Sequence, residues 1–438
     1  MHSFSRLHIF KYSSIIFTES MKLFHGFYLV LFFFTSNFSQ SIIDFKTLRS
    51  KFATMPRQEK DYQNAIEKTS LVFTKELSAD NAEEWGNALE NAQLYYIKDT
   101  SVARAITRVL TDFKSLPVSI VMTAIEVGKT LFPENDLESV RNILAGTNNI
   151  YLFAYAANYS NEINPEKIND LIHYKFTSPE NHPVLECLLH QIQVSDSNKF
   201  SSRPDIISII DHPFMDGSTI IYSFFRNDRK YPGLSIIKKP DGTFVKDAVG
   251  NIFSIPQFSM SYANLPGYLR NGNTPEGIFS IVGSYISPTE SIGPSRNVLT
   301  RIAFEVTPEI FYHGNNMSSQ WNIEEYRNLL PEDWQDYFPA YEAFYAGQAR
   351  RKVIVMHGSA DDLRFFKNES YFPHTPTKGC ISSIELWNPE TGYCTRSDQT
   401  DLINAFRSTG SNKGFLVVIE LDDKDSPVLI DDIMEFLQ

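Results

Sequence analysis

An α+β multidomain chain, a helical amino-terminal module followed by a mainly β domain, is what this 438-residue sequence predicts. Three observations carry the prediction. Apolar residues recur at helical spacing from Ile42 to about Gln193. The texture then turns to Ser, Asp, Asn and Lys between Ser195 and Pro204, as in a linker. Beyond it, short runs of β-branched and aromatic residues alternate with turn signals. The expected divisions are a targeting region over 1–40 with its core at 21–39, a helical module over 41–200, and a β domain over 205–438.

In the helical module, Val102, Ile106, Val109, Leu110 and Phe113 share one helical face, as do Leu116, Ile120, Ala124, Val127 and Leu131. Asn164-Pro165-Glu166 reads as an N-cap with proline at the first helical position, ahead of Ile168, Leu171 and Ile172. Phe132-Pro133-Glu134-Asn135 and Ser178-Pro179-Glu180-Asn181 each close one helix and open another, an echo of paired helices. No chemistry stands out, so the module reads as one for packing or docking.

In the β domain, Thr219–Phe225 and Leu234–Lys238 read as strands, and Pro240-Asp241-Gly242 as the hairpin turn toward Thr243-Phe244-Val245. Ile278–Val282, Val353–Met356 and Gly414–Glu420 add further strands, while Ile323–Ala349 reads as short helices.

A formal net charge of −12 argues against nonspecific nucleic-acid binding, which needs Lys and Arg to neutralise phosphates. The short run Arg350-Arg351-Lys352 reads as a solvated lead-in to a strand. Met21-Lys22 opens a stretch whose apolar run, Phe27 to Phe34, has the length of a signal-peptide core rather than a membrane span. Cleavage is expected near Ser39 or Gln40, with an uncleaved anchor as the alternative. No cysteine follows the run, against a lipoprotein anchor. Export is therefore expected, with no membrane span in the mature protein. The three cysteines, Cys187, Cys380 and Cys394, leave at least one thiol unpaired; Cys380 with Cys394 is the alternative disulfide.

Three local patterns then occur in order: Asn273-Thr274-Pro275-Glu276-Gly277-Ile278-Phe279, a turn feeding a strand; Val353-Ile354-Val355-Met356-His357-Gly358, a strand delivering a His and then a Gly; and Thr377-Lys378-Gly379-Cys380-Ile381-Ser382. A Cys and a His at strand ends suggest a thiolate–imidazole pair, since a free thiol with a pKa of about 8.5 needs help to ionise at neutral pH. Gly before Cys lets the backbone approach a carbonyl, and the Gly379 and Cys380 N–H groups are candidate oxyanion donors.

These patterns resemble the catalytic domain of the L,D-transpeptidases, β-sandwich cysteine enzymes that remodel bacterial peptidoglycan. The family's Thr-Pro-x-Gly-x-Phe start is matched by Thr274, Pro275, Gly277 and Phe279, its His-Gly strand end by His357 and Gly358, and its Ser/Thr-His-Gly-Cys segment by Thr377, Gly379, Cys380 and Ile381. The resemblance covers about the last 200 residues. It implies that Cys380 attacks a peptide carbonyl, that His357 takes its proton, and that the Gly358 carbonyl orients the ring. Two departures stand out. Lys378 replaces the family's second His, and the longer loop from His357 to Cys380 carries His374. Lys378, Thr377 and His374 are the candidate substrate-binding residues, Lys378 keeping positive charge by the thiolate and His374 either standing in for the missing ring or lying exposed.

The resemblance implies acyl transfer on peptidoglycan stem peptides in a bacterial periplasm or cell envelope, with no cofactor and no metal, and an envelope protein is a possible partner of the helices. An L,D-carboxypeptidase, a catalytically inactive wall-binding or scaffold protein, and a zinc hydrolase using His313, His357 and His374 remain as alternatives.

Overall fold

The computed structural model describes residues 42–437 apart from 161–162, 196–202, 214–216 and 316–317. The expected targeting core and most of the expected linker lie outside the described residues. Among the described residues, eight α-helices come first: α1 (Met55–Phe73), α2 (Ala82–Leu94), α3 (Thr100–Thr111), α4 (Val118–Leu131), α5 (Leu137–Gly146), α6 (Ile150–Ala157), α7 (Pro165–Lys175) and α8 (Pro183–Ser195). Local chemistry sets their starts. The Asp99 carboxylate accepts the Ser101 and Val102 N–H groups ahead of α3, and the Asn164 side chain accepts the Lys167 N–H ahead of α7, where Pro165 takes the first turn. Val102, Ile106, Val109 and Leu110 are fully buried, as the spacing predicts.

After the short α9 (Ile206–Ile210) come β1 (Thr219–Phe225), β2 (Gly233–Lys238), β3 (Ser254–Gln257), β4 (Gly277–Ile286) and β5 (Arg296–Arg301). Short helices α10 (Pro308–Phe311), α11 (Ile323–Arg327) and α12 (Glu342–Gln348) follow, then β6 (Met356–His357), β7 (Ile381–Ser382), β8 (Glu385–Trp387), β9 (Cys394–Ser397), α13 (Asp398–Ser408) and β10 (Gly414–Glu420).

One mixed sheet runs in the order β3-β2-β1-β10-β4-β5-β6-β7, with β8 and β9 as a separate ribbon. The pairs β1–β10 and β6–β7 are parallel and the others antiparallel. Its ends meet. Phe258, just past β3, exchanges backbone hydrogen bonds of 2.8 and 2.7 Å with Ser382 of β7. The sheet is therefore barrel-like, where the family resemblance leads one to expect two facing sheets. Closure satisfies the N–H and C=O rows that two open edges would leave bare.

The central strands bury both faces. Ile220, Tyr222 and Phe224 of β1 and Phe415, Val417 and Ile419 of β10 join one core with α2 to α8. Ile221, Phe225, Leu416 and Val418 turn the other way, to Phe279, Met356 and Ile381 and to Leu402, Ile403 and Phe406 of α13. This is the period-two alternation of a strand covered on both sides. The helical region and the sheet thus share one continuous apolar core. A second connection joins them: residues 42–54 run along the β8–β9 ribbon, where Cys394 N–H donates to Leu48 O, Ser50 N–H to Gly392 O and Met55 N–H to Pro389 O.

Candidate active site

The parallel pair β6–β7 sets His357 opposite Ser382, with Met356 and Ile381 turned into the inner core. Cys380 precedes Ile381 and, by alternation, takes the side of the strand that His357 takes. The two motif ends are therefore neighbours. His357 is buried, and its ring Nδ1 lies 2.5 Å from the Gly358 carbonyl oxygen. That contact requires a proton on Nδ1 and leaves Nε2 as the basic nitrogen. Burial lowers the His357 pKa, with the Gly358 carbonyl pulling the other way.

The half-buried Cys380 does not reach that ring by hydrogen bonding. Its Sγ lies 3.7 Å from the Val353 carbonyl oxygen, and burial raises its pKa while the Val355 amide and the Arg351 charge oppose the rise. Burial thus favours the neutral form of both the thiol and the imidazole, against the expected ion pair.

The cation beside the nucleophile is not Lys378. Lys378 extends outward, its ammonium 2.7 Å from the Glu90 carboxylate on α2. Arg351, read from sequence as a solvated lead-in, is instead 5% exposed. Its guanidinium donates to the carbonyls of Gly267, Asn273, Gly272 and Gly379. Gly379 has φ of +100°, and a Cβ there would run into the Arg351 guanidinium and the Gly272 carbonyl, so only glycine fits. No sequence signal separates such an arginine from its exposed neighbours.

Thr377, expected to bind substrate, braces the turn. Its Oγ1 accepts the Gly379 N–H at 2.9 Å and donates to the Cys380 carbonyl at 2.9 Å. The Gly379 N–H is therefore taken, which corrects its assignment to an oxyanion hole and leaves the Cys380 N–H for that task. His374 is neither an exposed loop residue nor a second ring at the thiol. It is 4% exposed, tilted against Phe258 at 5.4 Å between ring centres, with its pKa lowered to about 3 by burial and the Arg396 charge. Apolar Phe258, Phe366 and Tyr371 outweighed the loop-like sequence around it.

Sequence reading also missed Glu385, at the start of β8. It is 3% exposed and takes the Ser295 and Ser397 hydroxyls on one oxygen. Burial pushes its pKa up to about 7, the two hydroxyls opposing the shift. Its other oxygen lies against Gly358, where a Cβ would overlap it, so any side chain after His357 would have to displace the buried carboxyl.

The three cysteines are free thiols, so the Cys380–Cys394 alternative is not formed, and buried Cys394 directs its Sγ to the Arg396 carbonyl at 3.1 Å. The histidines of the zinc alternative lie apart in function: His313 Nε2 is 2.9 Å from the Gly414 carbonyl, His357 sits on Gly358 and His374 among aromatics. Among the described residues no three His, Cys, Asp or Glu side chains gather as a metal site, and no helix is long and apolar enough to cross a membrane.

The helical region reaches the nucleophile turn indirectly. Glu126 of α4 accepts the Asn271 side chain at 3.0 Å, the Tyr155 hydroxyl of α6 donates to the Arg270 carbonyl, and Asn158 donates to the Tyr268 hydroxyl at 3.1 Å. These contacts hold the 264–273 loop whose carbonyls hold Arg351. Between α4, α6, α8 and that loop lies a cavity of about 540 Å³, lined among others by Thr274 and Glu276 of the first motif but not by Cys380 or His357. Thr274 Oγ1, at its wall, donates to the Gly379 carbonyl at 3.1 Å. No protein-family model, no curated protein and no solved structure matches this chain.

Proposed function

We propose that the chain is a cysteine acyltransferase of the L,D-transpeptidase kind, acting on peptidoglycan stem peptides in a bacterial envelope. The observation that carries this reading is the adjacency of two motif ends on parallel neighbours β6 and β7, with His357 Nδ1 committed to the Gly358 carbonyl. That commitment leaves Nε2 to take a proton. In the reaction the Cys380 thiol gives its proton to His357 Nε2 as the sulfur forms a bond to the substrate carbonyl carbon. The Cys380 N–H faces the developing oxyanion; one such donor is typically worth about 3 kcal/mol. Collapse expels a terminal D-amino acid, which leaves with the proton from His357. An amine, or water in the carboxypeptidase variant, then gives a proton to His357 Nε2 as it bonds to the thioester carbon, and the C–S bond breaks with that proton returning to the Cys380 sulfur. No metal or cofactor enters these steps.

Two observations favour a second reading, a wall-binding or scaffold protein without turnover. Lys378 is engaged by Glu90 rather than turned to the thiol, and the Cys380 pKa is raised.

Intact-mass spectrometry of the protein with a disaccharide–tetrapeptide, beside Cys380→Ala, separates the two. A covalent adduct or loss of the terminal D-residue in the wild type alone supports acyl transfer; joined peptides mark a transpeptidase and shortened peptide alone a carboxypeptidase. Folded, reduced wild type giving neither adduct nor product overturns acyl transfer on wall peptides and favours the binding reading or a substrate outside the usual wall peptides.

A further inference from the structure

The stretch Gly358–Ala360 is tied down at several points. Ser383 N–H donates to the His357 carbonyl at 2.9 Å, Ala360 N–H to the Ser291 carbonyl at 2.7 Å, and Trp387 Nε1 to the Ser359 carbonyl at 2.8 Å. Within this frame sits the Glu385 carboxyl. One of its oxygens collects the Ser295 and Ser397 hydroxyls. The other, Oε2, is buried, is aimed at Gly358 and makes no well-formed hydrogen bond among the described residues. The Ser359 amide is the backbone donor that favours the charged form of this carboxyl. Gly358 in turn presents the carbonyl on which the His357 ring rests.

A buried carboxyl oxygen left so poorly satisfied is costly unless its charge or its shape is used. Here the shape fills the space that a side chain on residue 358 would otherwise occupy. The charge lies behind the peptide that orients the imidazole. When His357 takes a proton on Nε2, the ring becomes a cation in a buried setting; Glu385, whose pKa of about 7 leaves it able to give up its own proton near neutral pH, then stabilises that cation from behind the Gly358 peptide.

We infer that Glu385 is the positioning residue of His357, holding Gly358 against the ring and supplying the negative charge that lets the ring become protonated. This role rests on His357 acting as the base of the proposed acyl transfer, and refines that reading. The charged and titratable groups facing Glu385 are Asp398, itself paired with Arg396 at 2.7 Å, and the Cys394 thiol. On the His357 side the titratable neighbour along β7 is Cys380. Asp398 repels the Glu385 charge and Arg396 offsets Asp398, so Glu385 is the carboxyl placed against the Gly358 peptide.

The test is NMR titration of the histidine ring in the full chain, with His357→Gln assigning the signal, beside the pH profile of Cys380 alkylation by iodoacetamide. Glu385→Gln keeps size and hydrogen-bonding capacity but removes the charge. The expected result is a His357 titration displaced to lower pH, with the alkylation profile altered in step. Ser397→Ala, which removes one hydroxyl from the carboxylate, is expected to move the titration the same way by less, and serves if Glu385→Gln does not fold. An unmoved His357 titration in a folded variant, even one of lower stability, overturns the inference and leaves Glu385 a space-filling group. The outcomes separate from those of the parent reading. A displaced titration in a protein that turns over no wall peptide keeps the coupling and removes the transpeptidase; turnover with an unmoved titration does the reverse.

Discussion

Replacing Arg351 with Met tests whether a buried guanidinium, rather than Lys378, organises the nucleophile turn. Met fills similar apolar volume but removes the donors to the carbonyls of Gly267, Gly272, Asn273 and Gly379. A hydrogen bond to a charged group nets about 1.5–3 kcal/mol, and a buried carbonyl left bare costs about 1–3 kcal/mol. Against that, the guanidinium itself is held under strain, since burial lowers its pKa to about 10. Removing that desolvation cost offsets part of the loss. A net loss of about 4 kcal/mol is the resulting expectation, at the upper end for a single substitution. Urea unfolding of the full chain measures it, through the midpoint at constant slope. The Cys380 alkylation rate at neutral pH should fall as well, because the charge that lowers the thiol pKa is gone. A variant within about 1 kcal/mol of wild type, alkylating at the wild-type rate, would refute the reasoning. Lys at 351 is expected to recover the alkylation rate but not the stability, since one ammonium cannot span those carbonyls.

Other expected outcomes rest on the same structure. Burial pushes the pKa of Glu126 up from 4.5 to about 7, so the native chain holds a proton there that the unfolded chain releases between those values. Stability should accordingly fall as pH rises from about 5 to 8, with Glu126 contributing about 3 kcal/mol of that fall at most. Glu126→Gln should flatten the slope of urea midpoints between those pH values, and an unchanged slope would sink the assignment. Gly358→Ala should cost about 2 kcal/mol through overlap with Glu385, measured by thermal unfolding, and Glu385→Gln should not relieve it because the volume remains. Lys378→Ala, which removes an exposed pair with Glu90, should change stability by less than about 1 kcal/mol. A larger loss in urea unfolding would show that α2 is clamped to the nucleophile turn through that pair.

Much of the secondary structure was legible because single segments carry their own signal. The apolar stripe of α3, the Asn164-Pro165 start of α7 and the run Gly414–Glu420 of β10 each needed no distant partner to be read. Pairings between distant segments were not legible in this way. Phe258 closes the sheet onto Ser382, and nothing near either residue announces it. The same limit applies at the site. The His-Gly end and the Gly-Cys turn were found from local pattern, yet Arg351, Glu385 and the burial of His374 depend on groups brought from elsewhere in the chain. Arg351 sits between Arg350 and Lys352, and only the carbonyls of the 264–273 loop and Gly379 distinguish it. The helical and β segments read as separate modules because each has its own periodicity; their shared core comes from faces that meet only after folding.

The passage of residues 42–54 along the ribbon has a consequence in time. Ile43 and Asn404 exchange hydrogen bonds across a separation of 361 residues. At a synthesis rate of about 5–20 residues per second, the first of these groups precedes the second by roughly 20 to 70 s. The long-range partners of Ile43, Leu48 and Ser50 lie between Gly392 and Asn404, so the segment that leads into α1 must wait for that stretch to be made. It is a clasp closed from afar, and the ribbon it fastens carries Glu385 and Trp387, the two side chains that steady the loop behind His357.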